Sequence, residues 1–93
     1  MKILRPSTQY KKDLKRICKD KRKAEELLAV LRMLENELPI PEDYKLHSLT
    51  CDYAGCMECH IQGDFLLIWI DQEEIILVRL GSHSELFGKG HKR

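Results

Sequence analysis

The sequence predicts an α+β domain in which an N-terminal helix hairpin packs on a small, largely antiparallel sheet. Three observations support this prediction. Apolar residues recur at helical spacing in the first 40 residues, three strand-sized apolar runs follow, and the connections between those runs have only three or four residues. A length of 93 residues fits one domain over 1–93, and 43% apolar residues can supply one modest core.

The first 40 residues predict a short strand and two amphipathic helices. Ile3 and Leu4 form the strand, Pro6 ends it, and Ser7 can cap the helix that follows. The apolar face of the first helix consists of Tyr10, Leu14 and Ile17. The apolar stripe of the second helix consists of Ala24, Leu27, Leu28, Leu31, Leu34 and Leu38. Pro39 then ends this helix, and the short joint between the two helices predicts an antiparallel hairpin.

The rest of the chain predicts a crossing segment and three antiparallel strands. Residues 42–55 are irregular, with Leu46 and Leu49 as apolar anchors. The strand-like runs are 56–61, 65–70 and 75–80. Their short connections require antiparallel pairing, and the uninterrupted apolar character of the second run is typical of a central strand buried on both faces.

Four cysteines raise the question of a disulfide or metal site: Cys18, Cys51, Cys56 and Cys59. A disulfide framework is not expected, because the chain shows no secretion signal. Cys51, Cys56, Cys59 and His60 resemble a zinc cluster in their spacing, so a small zinc-binding module is one alternative. A strand over 56–61 would send Cys56 and Cys59 to opposite faces, and we therefore expect buried thiols and no bound metal.

Charge is distributed unevenly along the chain. Residues 1–23 contain ten Lys or Arg and two Asp, a net +8, whereas residues 24–93 have a net charge of −7. The basic third fits contact with a polyanion, and a solvated helix face is the alternative. The longest apolar run, 65–70, is much shorter than a membrane span, so we expect a cytoplasmic protein without membrane contact.

Three histidines fall near the predicted strand ends: His47, His60 and His83. Strand alternation places Glu58 on the face of His60, and Asp64 follows at the turn. Arg79 interrupts an apolar strand, so it needs either solvent or an anionic partner. Imidazole, carboxylate and guanidinium groups together suit phosphodiester cleavage, which needs a proton acceptor, a proton donor and positive charge at the phosphorane. Phe87 can offer a flat face to a base.

Several segments resemble a known toxin family. They are Tyr44-Lys45-Leu46-His47-Ser48-Leu49, Glu58-Cys59-His60-Ile61, Asp64-Phe65-Leu66-Leu67-Ile68 and Arg79-Leu80-Gly81-Ser82-His83-Ser84-Glu85-Leu86-Phe87. They resemble the YafQ-type toxins of the RelE-like superfamily of bacterial type II toxin–antitoxin systems. The resemblance covers essentially the whole chain and implies the RelE-like toxin fold.

The resemblance also implies a function, a ribosome-dependent mRNA endonuclease that uses no metal or other cofactor. In such an enzyme the ribose 2′-hydroxyl attacks the adjacent phosphate, and translation is inhibited. The implied partners are mRNA and the ribosome with its rRNA, a cognate antitoxin that neutralises the toxin, and operator DNA bound by the complex through the antitoxin.

Six positions match the functional residues of the family: His47, His60, Asp64, Arg79, His83 and Phe87. The resemblance implies that His83 is the general acid and that His47 and His60 share base and phosphate-positioning roles. Glu58 is a further candidate for the base because it shares the face of His60. Asp64 would orient an imidazole. The substrate contacts would come from Arg79, Phe87 and Phe65.

Three residues depart from the family pattern. Met57 stands where Arg is common, Cys51 where Gly is usual, and Phe65 where some members have Trp. None of them transfers a proton, so we expect activity, while the departures bear on loop shape and substrate preference. Besides the zinc-binding module, the alternative is a non-catalytic member that only binds its antitoxin or RNA.

Overall fold

The computed structural model describes residues 1–49, 53 and 55–87 of the chain. The elements are β1 (Leu4–Pro6), α1 (Thr8–Ile17), α2 (Lys21–Glu35), a 3₁₀ turn (Glu42–Tyr44), β2 (His47–Ser48), β3 (Met57–Gln62), β4 (Phe65–Asp71), β5 (Ile75–Gly81) and α3 (His83–Phe87). This order confirms the predicted α+β class with its helix pair followed by a sheet. None of the helices in the described ranges is both long and apolar enough to span a bilayer.

Each of the two long helices begins at a side-chain cap. The Ser7 hydroxyl accepts a hydrogen bond from the backbone N–H of Tyr10 at 3.0 Å, and the Asp20 carboxylate accepts one from that of Lys23 at 3.1 Å. The helices bury one apolar face each, formed by Tyr10 and Ile17 in α1 and by Leu27, Val30 and Leu34 in α2.

The second helix is shorter than its sequence pattern predicts. It ends at Glu35, and Glu37 takes a positive φ of 57° directly after it. Leu38 therefore lies outside the helix and is 55% exposed, and Leu28 is 48% exposed on the helix itself. The prediction that both leucines belong to the buried stripe is wrong.

The sheet has five strands in the order β1-β5-β4-β3-β2. β1 pairs in parallel with β5, and the other three pairings are antiparallel, as the short connections require. β4 is central, and its residues Phe65–Trp69 are all buried. The prediction of a central strand buried on both faces is confirmed.

The two faces of the sheet carry separate apolar clusters. The larger cluster lies under α1 and α2 and includes Cys59, Leu67 and Leu80. The smaller one lies on the opposite face and includes Cys56 and Leu66. Burial raises the pKa of the Cys59 thiol to about 12. The positions of Cys59 and Cys56 on opposite faces of the sheet argue against a zinc cluster that contains both. Cys51 lies outside the described residues.

Two short elements differ from the sequence prediction. The crossing segment contains the two-residue strand β2, with Leu49 buried after it but Leu46 41% exposed, so Leu46 is not the predicted anchor. The region after β5 was predicted only as a strand end, but it forms the five-residue helix α3.

Candidate active site

Strand register brings the three histidines together on the sheet face opposite the helices. His47 of β2 lies directly across from Glu58 of β3. His60 belongs to a cross-strand row that ends at Gly81 of β5, and His83 follows that glycine by two residues. The ring centroids of His47 and His60 are 6.0 Å apart, and those of His60 and His83 are 5.4 Å apart. We call these three residues the histidine cluster.

Glu58 lies beneath the histidine cluster and is fully buried. Its Oε1 is 2.9 Å from His47 Nε2 and 3.6 Å from His60 Nε2. Despite these contacts, neither carboxylate oxygen makes a hydrogen bond of good geometry to any described group. A buried carboxylate in this state is costly, and the two imidazoles lie beside it.

The tautomer of His47 follows from its backbone contact. Its Nδ1 lies 2.8 Å from the carbonyl oxygen of Lys45, which can only accept, so Nδ1 bears the hydrogen. Nε2 is therefore the nitrogen that His47 turns toward Glu58.

The surroundings of His60 favour the neutral form of its ring. Its pKa is lowered from the ordinary 6.5, mainly by burial and further by the nearby imidazoles of His83 and His47, while Glu58 acts in the opposite direction. The ring is consequently a neutral imidazole near pH 7, which is the form that accepts a proton.

His83 is oriented by Asp64, which stands in the turn between β3 and β4. His83 Nδ1 donates a hydrogen bond to Asp64 Oδ1, and the His83 backbone N–H donates to the same oxygen at 3.1 Å. These hydrogen bonds hold the pKa of Asp64 below its usual value. With Nδ1 bound to a carboxylate, Nε2 is the nitrogen that His83 presents to a substrate, as in other carboxylate-oriented imidazoles.

The start of α3, and with it His83, is fixed by a capping box. The Ser82 backbone N–H donates to Glu85 Oε1 at 2.8 Å, and the Glu85 N–H donates to the Ser82 hydroxyl at 3.3 Å. Arg16 of α1 contacts the other oxygen of Glu85 at 3.2 Å. Gly81 has a φ of +155°, and a Cβ there would lie 2.8 Å from Glu85 Oε1, so this position accommodates only glycine without displacing the cap.

Arg79 has the anionic partner that its apolar strand predicts, and this partner is Asp13 of α1. Nε of Arg79 donates to Asp13 Oδ2 at 2.8 Å, and Nη2 donates to Oδ1 at 3.3 Å. The carboxylate raises the pKa of the guanidinium. Nη1 points toward the hydroxyl of Tyr53 at 3.5 Å. Glu58 is not a partner of Arg79, because the two residues stand in one row separated by Ile68, about 10 Å apart along the sheet.

The two predicted aromatic substrate contacts have different surroundings. Phe87 is partly exposed, lies edge-on to Tyr53 at 5.4 Å, and has its ring 6.1 Å from that of His83. Phe65 is only 3% exposed and packs in the cluster under the helices, with Lys23 Nζ 5.6 Å from its ring centre. Because Phe65 has no exposed face, its position argues against a contact with substrate.

Four residues around the site were not found from the sequence: Asp13, Arg16, Tyr53 and Glu85. The spacing Ser82-x-x-Glu85 is a capping-box pattern and could have indicated α3. Asp13 lies between Tyr10 and Ile17 on the apolar face of α1, and a carboxylate in such a stripe is a sign of a buried partner.

Three donors in the described chain are grouped closely enough to hold a metal ion. They are one ring nitrogen each of His47 and His60 and one carboxylate oxygen of Glu58, and all three atoms lie within 4.8 Å of one another. Imidazole and carboxylate donors suit copper and zinc, and the oxygens of Glu58 lack good hydrogen bonds. The donor set therefore fits a metal, although sequence analysis assigned these residues to catalysis alone.

The family described as bacterial toxin of type II toxin–antitoxin system, YafQ, matches residues 2–88 of the chain. The chain belongs to this family. The family inferred from the sequence is thereby confirmed. Among curated relatives, the mRNA interferase toxin YafQ of Escherichia coli K12 is 35% identical over 86 residues, which are 88% of this chain and 91% of that protein. The putative toxin YafQ of Haemophilus influenzae is 40% identical over 63 residues, so the chain spans 62% of that relative's length.

Solved structures of similar proteins confirm the fold. The E. coli DinJ–YafQ toxin–antitoxin complex contains a chain with a TM-score of 0.83 and 31% identity, and the match covers 94% of this chain and 98% of that one. A copper-bound mutant toxin from Helicobacter pylori has a TM-score of 0.84 and 32% identity, with 94% and 100% covered.

Proposed function

We propose that this chain is an mRNA interferase that cuts mRNA on the ribosome, using the histidine cluster as acid and base for attack by a ribose 2′-hydroxyl. The main support is a pair of imidazoles with different surroundings, His60 and His83, whose ring centres are 5.4 Å apart. One is neutral and can accept a proton, and the other is held by a carboxylate at Nδ1 so that Nε2 faces the substrate.

The family and a named relative support the class of function. Membership of the family makes the chain a toxin of a type II system, and its E. coli relative is named an mRNA interferase toxin. The endoribonuclease class inferred from the sequence is therefore confirmed, and the roles of single residues that follow are proposals.

His83 serves as the general acid. Asp64 holds Nδ1, so the proton on Nε2 is directed to the leaving 5′-oxygen. As the 2′-oxygen forms its bond to phosphorus, the bond from phosphorus to the 5′-oxygen breaks and that oxygen takes the proton. The products are a 2′,3′-cyclic phosphate and a 5′-hydroxyl.

His60 serves as the general base and takes the proton of the 2′-hydroxyl. Glu58 and His47 are the other candidates for this role. We do not assign it to Glu58, because that side chain is fully buried. His47 has a side chain that is 44% exposed, and we assign it to the phosphate, where its ring donates to the developing phosphorane.

Arg79 and Phe87 contact the substrate in this proposal. Asp13 occupies one edge of the Arg79 guanidinium, so the edge formed by Nη1 and Nη2 is the one that faces a phosphate. The partly exposed ring of Phe87, adjacent to His83, suits stacking on a base.

The partners of the chain follow from the same proposal. The structure of the DinJ–YafQ complex supports a cognate antitoxin for this chain, and the complex would bind operator DNA through that antitoxin. The net +8 of residues 1–23 supports contact with rRNA on the ribosome, where the mRNA is cut.

Induced expression tests the proposed function. Wild-type protein expressed without an antitoxin should arrest growth, and primer extension on cellular mRNA should show new cleavage ends. His83→Ala should lower cleavage by a factor on the order of 10²–10⁴ and restore growth. Undiminished arrest by His83→Ala at equal protein levels would remove His83 from the mechanism, and an innocuous wild-type protein would favour the non-catalytic alternative.

Copper binding is a second candidate property, favoured by the grouped donors of His47, Glu58 and His60. Bound copper would withdraw the base and the phosphate-binding ring from catalysis, so we expect it to inhibit cleavage. The copper-bound toxin of H. pylori is a related protein in which a metal has been observed.

Melting temperature with and without Cu²⁺ tests this second property without relying on activity. The ion should raise the melting temperature of the wild type, because a ligand that binds only the folded state stabilises it. His47→Gln should lose most of this increase. Cys18→Ser, which removes an exposed thiol remote from the three donors, is the matched control and should keep it. An equal increase in wild type and His47→Gln would place the metal elsewhere.

A further inference from the structure

Asp13 and Glu58 are the two charged side chains that are fully buried among the described residues. Glu58 belongs with the histidine cluster, whereas Asp13 lies on α1 and binds one edge of the Arg79 guanidinium. A buried ion pair usually stabilises a fold no better than well-packed apolar residues would. The ion pair with Arg79 therefore does not by itself account for a carboxylate at this position.

Asp13 lies beside the edge of β5 at the point where β1 has ended. β1 pairs with β5 only as far as Pro6 opposite Leu77, and the chain then turns into α1. The backbone N–H of Leu80 beyond this point donates to Asp13 Oδ2 at 3.0 Å. The carboxylate thus accepts a backbone hydrogen bond that a neighbouring strand would otherwise accept, and this bond fixes the position of the carboxylate.

The same carboxylate fixes the direction of the Arg79 side chain. Two hydrogen bonds, from Nε at 2.8 Å and from Nη2 at 3.3 Å, join one edge of the planar guanidinium to both oxygens of Asp13. A planar group bound along one edge cannot turn, so its opposite edge has a set direction. That edge includes Nη1, which lies 3.5 Å from the Tyr53 hydroxyl, next to Phe87.

We propose that Asp13 is a positioning residue of the active site, which holds the Arg79 guanidinium so that its free edge meets the scissile phosphate. The inference rests on the proposed function, because that function supplies the phosphate. An arginine held in one orientation before the substrate arrives loses less conformational entropy on binding and places its donors more accurately.

The rival explanation is that Asp13 only joins α1 to β5. Under that explanation a substitution lowers the melting temperature and leaves cleavage per folded molecule unchanged. Under ours the substitution also lowers the rate at saturating substrate, and it does so through Arg79. The coupling between the two positions is therefore the decisive readout.

The experiment measures cleavage on programmed ribosomes by wild type, Asp13→Asn, Arg79→Lys and the double variant. Asp13→Asn keeps the shape of the side chain, and we expect it to lower the saturating rate by a factor of at least about 10. In the Arg79→Lys background, where the guanidinium is already gone, the same substitution should have little further effect. Asp20→Ala, which removes the cap of α2 outside the site, is the matched control and should lower the melting temperature without changing the rate.

Two outcomes would overturn the proposal. One is a destabilised Asp13→Asn protein with normal cleavage per folded molecule, and the other is an equal rate loss in both backgrounds. If Asp13→Asn is unfolded at the assay temperature, Asp13→Glu, which keeps the charge and displaces it by one methylene, is tested in the same way.

The failure of the proposed function is distinguishable from the failure of this inference. A wild-type protein that does not cut mRNA contradicts the proposed function. In that case, binding of a short RNA with a 2′-deoxy scissile position tests the inference on its own. Weaker binding by Asp13→Asn, by several-fold, supports it, and equal binding overturns it.

Discussion

The three imidazoles of the histidine cluster are distinguished by what their ring nitrogens contact. His47 donates to a backbone carbonyl and faces Glu58, and His83 donates to Asp64. His60 Nε2 lies 3.6 Å from Oε1 of the buried Glu58. In the proposed mechanism, these different neighbours fit the three rings for different roles.

The lowered pKa of His60 predicts how stability depends on pH. Below its ordinary pKa of 6.5 the unfolded chain binds a proton at this position, whereas the folded protein does not until the pH falls further. The unfolded state is therefore favoured progressively as the pH falls from about 6.5 toward the folded-state pKa. His60→Gln removes this titration, so its melting temperature should fall less than that of the wild type between about pH 7.5 and 5.5.

Thermal melts of both proteins across that range provide the measurement. At pH 7.5 the His60 ring is neutral in both the folded and the unfolded chain. The difference in melting temperature between the two proteins at that pH is therefore the direct effect of the substitution, and it is subtracted from the differences at lower pH. The charged and titratable groups that face His60, namely Glu58, His47, His83 and Lys45, are the same in both proteins. Parallel curves would show that His60 titrates alike in the folded and unfolded chain.

At the residue scale, the sequence predicts those features that follow from the chemistry of a single side chain and its neighbours in the chain. It predicts that Arg79 requires solvent or an anion. It does not predict the partner, Asp13, because that residue is 66 positions away on a helix whose packing no local pattern specifies. It placed Glu58 on the face of His60 by alternation but could not foresee that β2 pairs with β3 and encloses it. Phe65 was expected at the substrate because it matches a family aromatic, yet its place at the start of the central strand buries it.

At the scale of elements, α1 contacts both of the chain segments that bear the proposed acid and the phosphate-binding arginine. Asp13 and Arg16 are three residues apart, hence on one side of the helix. Asp13 reaches β5, and Arg16 reaches Glu85 in α3. A helix that packs against the sheet edge therefore also sets the position of a five-residue helix that is too short to be stable by itself.

Removal of the ion pair between Arg16 and Glu85 should affect activity more than stability. Both side chains are nearly half exposed, and exposed ion pairs contribute only about 0–1 kcal/mol. The start of α3 nevertheless determines where His83 lies. We expect Arg16→Gln to lower the melting temperature by no more than about 8 °C and to lower the cleavage rate several-fold.

Arg22→Gln is the matched control for this substitution, since Arg22 is an exposed arginine of α2 outside the site. It should change neither quantity. Cleavage on programmed ribosomes and thermal melts on the same preparations provide the two measurements. An Arg16→Gln protein as active as Arg22→Gln would mean that the capping box alone fixes α3.

The sequence predicts the long elements and the opening strand but not the short elements β2 and α3. The three hairpin strands begin and end within one residue of their predicted bounds, because four or more alternating or apolar residues specify a strand. β2 has two residues and α3 has five, too few for any period to be visible. α2 was extended past its true end because Leu38 continues the helical spacing after the backbone has turned at Glu37.

At the scale of the whole molecule, the basic third of the chain forms an exposed surface on the two long helices. Lys11, Lys12 and Lys15 of α1 are exposed, and no ion pair within the described ranges neutralises them. Uncompensated cations of this kind accelerate association with polyanions and make binding depend on salt. An acidic antitoxin segment and rRNA are both suitable partners for such a surface.

Lysine substitutions can distinguish the role of this surface in binding from the role of the histidine cluster in cleavage. We expect a triple variant, Lys11→Gln, Lys12→Gln and Lys15→Gln, to raise the KM for programmed ribosomes and to leave the saturating cleavage rate nearly unchanged. The reason is that these side chains lie on exposed helix positions, away from the histidine cluster. The salt dependence of KM should also become shallower, with the slope reduced by roughly one for each phosphate that a lysine no longer neutralises.

A triple Lys→Arg variant at the same positions keeps the charge and should behave as the wild type does. Measurements of cleavage against ribosome concentration at two salt concentrations then decide the matter. If the Gln variant has an unchanged KM at low salt, the basic surface does not contact the ribosome. Weaker binding of the antitoxin by that variant would then show that the surface contacts the antitoxin. Both partners are expected to carry negative charge, so the same lysines can attract either one.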